Sequence, residues 1–101
     1  MDIYALDDCL DQMTYYMYWG RFRTARNIAE YTLKNVVKQV NSRGGKCGMD
    51  REVCQYAVGN LRRFLWAFRL SRYEDMCAPV MNTRSVVKIH LASVEIPGVV
   101  A

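Results

Sequence analysis

Along much of this chain apolar residues recur at steps of three and four, the spacing that lines one side of a helix. In residues 3–18 the seam is Ile3, Leu6, Leu10, Met13 and Met17, with the acids mainly off it, which predicts an amphipathic helix. It runs into the cluster Tyr15-Tyr16-Met17-Tyr18-Trp19 and then Gly20, a break between helices. In residues 21–43 one face carries Phe22, Ala25, Ala29, Leu33, Val36 and Val40. The opposite face carries Arg23, Arg26, Asn27, Glu30, Lys34, Lys38 and Asn41. Arg26–Glu30 and Glu30–Lys34 stand four apart and would add a few tenths of a kcal/mol each. The Gly-rich segment after Arg43 stops this helix, with Gly44 suited to its C-terminal cap.

Residues 51–74 predict a third helix with Asp50 as N-cap. Val53, Ala57, Leu61, Phe64, Leu65 and Phe68 span about 120° of its circumference. Arg51, Gln55, Arg62 and Arg69 share another stripe, with Trp66 and Tyr73 in or beside it. Pro79 predicts an end to helical structure nearby. Ser85 would then cap a short helix within 84–92, although the alternation Val87, Ile89, Leu91 also fits a strand. The helix is preferred because no partner strand is visible. Residues 93–101 read as a tail.

These elements predict one all-α domain over 1–101: an N-terminal helix within 1–19, a helical hairpin over 21–74, a short helix and a tail. Two helices of about 22 residues would each run about 33 Å, and their short connection makes them antiparallel neighbours. Such a pair cannot fully bury both apolar faces on itself. The expectation is a homodimer that pools two hairpins into a four-helix bundle, with the N-terminal helix as a lid or extra layer.

Composition narrows the function. At 101 residues, 51% hydrophobic and 24% charged, the chain suits one folded domain rather than a disordered one. No apolar run reaches the roughly 18 residues of a membrane span. The first residues carry Asp2, Asp7 and Asp8 and no basic stretch, which predicts no secretory leader, a cytoplasmic location and reduced thiols. Cys9, Cys47, Cys54 and Cys77 lack zinc-site spacing, and His90 is the only histidine. Cys54 falls on the apolar arc and Cys47 in the Gly-rich turn. Gly44-Gly45-Lys46-Cys47-Gly48 is not a phosphate loop, since the Walker spacing and a preceding strand are both missing. Asp7, Asp8 and Asp11 read as solvated helix charge rather than a cation site. No enzyme, cofactor, metal or small-molecule substrate is expected.

Charge points to a partner. The net +4 divides into −4 over residues 1–19, +9 over 20–72 and −1 over 73–101. A basic block facing solvent on two long helices suits a polyanion, though exposed helix surfaces are often charged without one. Arg62 and Arg69 would lie about 10.5 Å apart along one helix, and Lys34 and Lys38 about 6 Å apart along the other. A flat basic face suits double-stranded RNA, which proteins recognise by shape, phosphate and 2′-OH. A cation–π contact of Trp66 with Arg62 or Arg69 would add about 1 kcal/mol.

Gly59-Asn60-Leu61-Arg62-Arg63-Phe64-Leu65, then Arg69-Leu70-Ser71, then Ser85-Val86-Val87, resembles the small nodaviral suppressors of RNA silencing over roughly 24–92. The resemblance implies a viral protein whose dimeric helical bundle lies along double-stranded RNA without reading sequence. It would shield long duplexes and small interfering duplexes from host silencing. The chain departs from the family pattern by about twenty extra N-terminal residues. On an ungapped match two of the family's contacts fall at Ala67 and Glu74, leaving nearby Arg62, Arg69 and Arg72 to substitute.

The RNA-binding residues expected are Arg62, Arg69, Lys34 and Lys38, supported by Arg23, Arg26, Arg51 and Arg72. A competing reading makes the chain a protein-interaction module that uses the acidic helix and the aromatic cluster Tyr15–Trp19. A third folds segment 1–19 over the basic face as an autoinhibitor.

Overall fold

A computed structural model of the chain describes residues 1–41 and 50–95. Four α-helices occur among them: α1 (Ile3–Tyr18), α2 (Phe22–Asn41), α3 (Arg51–Arg69) and α4 (Cys77–Glu95), with a 3₁₀ turn at Tyr73–Met76. No strand is present among the described residues, so the fold class is all-α, as the periodicity predicts. The expectations for Gly44 and Cys47, and for 96–101 of the tail, lie outside the described residues.

The expected cap at Asp50 and the expected break at Gly20 both form. The Asp50 carboxylate accepts a hydrogen bond from the Glu52 amide at 2.7 Å, at the start of α3. Gly20, at φ +74°, ends α1: its amide donates to the Met17 carbonyl at 3.0 Å and the Arg21 amide to that of Tyr16 at 2.7 Å. Those paired bonds satisfy carbonyls at the end of α1 that would otherwise lack donors.

α3 ends earlier than expected, at Arg69 rather than near residue 74. The same cap closes it, with the Ser71 amide on Phe68 (2.9 Å) and the Arg72 amide on Ala67 (2.8 Å). Here the left-handed position is held by Ser71, φ +58°, where glycine would be favoured.

The larger correction concerns α4, expected as a short helix within 84–92 and observed as 19 residues from Cys77 to Glu95. Pro79 does not end helical structure. It is the third residue of α4, in the first turn, where proline's missing N–H is tolerated. Ser85 is not a cap either, since its hydroxyl donates to the Met81 carbonyl one turn back, at 3.0 Å. Met76, Val80, Thr83, Val87 and Leu91 are buried at steps of three and four and hold α4 to the core.

The helices form a closed ring: α1 packs on α2 and α4, and α3 on α2 and α4. At its centre Leu6, Leu10, Met13, Ala25, Ala29, Val36, Ala57, Phe64, Met76 and Val87 are fully buried. The buried hydroxyls of Thr32 and Thr83 donate to the carbonyls of Ile28 and Pro79, so neither is left unpaired. α1 is therefore a layer of the core and not a lid. The apolar faces of α2 and α3, expected to need a second copy, are covered within the chain by α1 and α4. No helix of the described residues is long and apolar enough to cross a membrane.

Candidate nucleic-acid interface

Early α2 lies beside late α3, because Arg26 sits over the Phe68 ring at 5.2 Å and Phe22 stacks on Tyr73 at 4.7 Å between centroids. Late α2 lies beside early α3, where Val37, Val40 and Asn41 share a shallow groove with Gln55, Val58 and Arg62. With Ala25, Ala29, Thr32 and Val36 turned inward on α2, and Val53, Ala57, Leu61 and Phe64 on α3, the polar stripes of both helices face outward.

On α3 the stripe holds Arg51, Arg62 and Arg69, all exposed and within about 20° of one another at 100° per residue. It extends for about 27 Å. On α2 it holds Arg23, Lys34 and Lys38, also exposed and within about 60°. Arg72, just past α3, is exposed as well.

Seven of the eight expected residues thus reach solvent, and among the described residues none of the seven has a carboxylate ion-pair partner. Arg26 is the exception. It is half-buried, bonded to Glu30 at 3.0 Å and laid over Phe68, so it braces α2 against α3. Glu30 pairs with Arg26 and not with Lys34, which leaves Lys34 without an acid among the described residues. Ala67, one of the two positions given by the ungapped family match, is buried and has no polar side chain to offer a phosphate; Glu74, the other, is exposed in the 3₁₀ turn.

Two exposed cations outside the expected set have no acid partner among the described residues. Arg21 follows the Gly20 cap, and Arg63 sits one residue, or about 100°, round α3 from the stripe. Arg63 joins Arg62, Trp66, Ala67, Leu70, Arg72, Asp75 and Pro79 around a groove of about 570 Å³ between α3 and the start of α4. The cation–π contact of Trp66 is with Arg69, at 5.6 Å from the ring centroid.

Two of the three acids of α1, Asp7 and Asp11, are engaged elsewhere. Asp11 pairs with Arg84 of α4 at 2.9 Å, and Lys88 reaches Asp7 at 2.9 Å and Asp11 at 3.4 Å. The hydrogen bond that Lys88 donates to Asp7, then the charges of Asp7 and Asp11, raise the Lys88 pKa above its ordinary 10.5, against some desolvation. This arrangement counts against the autoinhibition reading, since Asp7 and Asp11 pair with cations of α4 and, among the described residues, no stripe cation pairs with an acid of α1. It also gives the carboxylates of Asp7 and Asp11 cationic partners in Arg84 and Lys88. Of the cysteines, Cys54 is buried in α3 as expected, Cys9 is half-buried and Cys77 exposed.

No protein-family model, curated protein or solved structure matches this chain.

Proposed function

We propose that the chain binds double-stranded RNA without reading its sequence, laying the outer faces of α2 and α3 along the duplex. The observation that carries this reading is the division of charge. The two cations of α4 are held by acids of α1, whereas Arg23, Lys34, Lys38, Arg51, Arg62, Arg69 and Arg72 face solvent with no acid partner among the described residues. Such a line of cations binds by displacing counterions from phosphates, which is independent of base sequence. Its two helices present a broad backbone-contacting surface, which suits the wide, shallow minor groove of an RNA duplex better than base-edge readout.

On this reading α2 and α3 are the arms of a helical hairpin, and the biological role is a viral one. The protein would cover long and small interfering duplexes in the host cytoplasm and withhold them from silencing. Dimerisation enters through the family resemblance alone. A second copy would lengthen the basic face, since each chain already closes its own core.

Charge reversal tests the reading. Arg62→Glu with Arg69→Glu should abolish duplex RNA binding in a gel shift at modest salt while the helical circular dichroism and melting curve stay unchanged. Undiminished binding by the folded variant would remove these residues from the interface and the proposal with them.

One observation favours the protein-interaction reading. Tyr15, Tyr18 and Trp19 are 59%, 80% and 62% exposed, more than a folded chain needs at one helix end. Loss of a protein partner on Trp19→Ala, with RNA binding intact, would assign that function to this end.

A further inference from the structure

The groove beside α3 differs in chemistry from the stripe it borders. Its lining is largely apolar, from Trp66, Ala67, Leu70 and Pro79, and its polar lining is the guanidinium-bearing Arg62, Arg63 and Arg72 with one acid, Asp75. Trp66 is 58% exposed, a large cost for an indole unless something covers it. Arg69 lies over the ring at 5.6 Å, so the indole is already part of a cation-and-aromatic surface. Volume, flat aromatic surface and surrounding positive charge together describe a receptor for something planar and anionic. An aliphatic or neutral ligand would leave the three arginines unanswered.

We infer that this groove takes an unpaired nucleotide, its base stacked on Trp66 and its phosphates held by Arg62, Arg63 and Arg72. The inference rests on the duplex-binding reading, because Arg62 belongs to both surfaces and places the groove at the edge of the basic face. A base within a duplex would have to leave its stack to enter, at a cost of a few kcal/mol. A base in a single-stranded overhang is already free. The groove therefore discriminates between duplex ends, which a line of phosphate contacts cannot do. Proteins that stack bases on aromatic side chains do so with little sequence preference, so the end would be recognised by its being unpaired.

The test uses the full chain carrying Trp19→Phe, so that Trp66 alone reports. A blunt RNA duplex and the same duplex with short overhangs are titrated at one salt concentration, with affinity and Trp66 fluorescence both followed. The overhang should bind about 5- to 150-fold tighter, the range of one base–aromatic stack, and quench Trp66. Trp66→Ala should erase the preference and leave blunt-duplex affinity in place, while Trp66→Phe retains part of it.

Equal affinity for both duplexes, with no differential quenching, overturns the inference and leaves the duplex reading standing. Quenching by a short single strand when no duplex binds supports the groove and sinks the duplex reading. Quenching by an acidic peptide but by no oligonucleotide overturns it in favour of a protein ligand.

Discussion

Removing residues 1–19 should unfold this protein rather than unmask its basic face. α1 contributes Leu6, Leu10 and Met13, fully buried, and Ile3, 3% exposed. At about 1.5–3 kcal/mol for each buried side chain, the four contribute roughly 6–12 kcal/mol, as much as the whole stability of a typical domain. The truncated chain, 20–101, is expected to lose its cooperative thermal transition. A point change keeps the argument measurable in a folded protein. Leu6→Ala should lower stability by about 2–5 kcal/mol and the melting temperature by roughly 10 °C or more, whereas Leu6→Met costs under about 1.5 kcal/mol. Circular dichroism melts read both, and a gel shift on folded Leu6→Ala should show unchanged RNA affinity. A truncated chain that melts cooperatively near the temperature of the full one would refute the reasoning. The core would then close without α1, and the case for α2 and α3 seeking a second copy would return.

Three further outcomes follow from local geometry. Ser71→Gly relieves a left-handed conformation that costs a side-chain-bearing residue about 1–2 kcal/mol, so it should raise the melting temperature by several degrees; a lowered one would mean the serine side chain is needed there. Asp50→Ala removes the α3 cap and should destabilise by about 0.5–2 kcal/mol, read from a urea titration. The raised Lys88 pKa favours the fold while the amine is protonated. Its contribution is full below the ordinary value of 10.5 and is lost as pH rises through the higher folded value. The stability difference between the wild type and Lys88→Met should therefore shrink above pH 10.5, and a difference that grows there would reverse the assignment.

Much of the fold was legible because periodicity is a local property. The seams Ile3–Leu6–Leu10–Met13 and Val53–Ala57–Leu61–Phe64 are buried as their spacing predicts, and so are Ala25, Ala29 and Val36 of α2. The errors arise where a residue type has two meanings. Proline breaks a helix interior but is at home in a first turn, so Pro79 hid the first half of α4. A left-handed cap is announced by glycine and silent when serine fills it, so Ser71 hid the end of α3. Ring closure was not legible, because the pairing of Asp7 and Asp11 with Lys88 and Arg84 joins residues more than seventy apart. A helix confined to 84–92 leaves the apolar faces of α2 and α3 without cover in the chain, which is why periodicity alone calls for a second copy. The basic stripes were legible as helical faces. The groove was not, because it joins Arg63 and Trp66 of α3 to Arg72, Asp75 and Pro79 across a turn.

Competition binding across a salt series tests the central claim most directly. Labelled duplex RNA is bound to the full chain and challenged with unlabelled duplex RNA of unrelated sequence, duplex DNA and single strands. The account predicts that any duplex RNA competes equally and duplex DNA competes poorly. It also predicts that log affinity falls steeply and linearly with log salt, each stripe cation replaced by glutamine lowering the slope by about one. Duplex DNA competing as well as duplex RNA, or binding indifferent to salt, would contradict it.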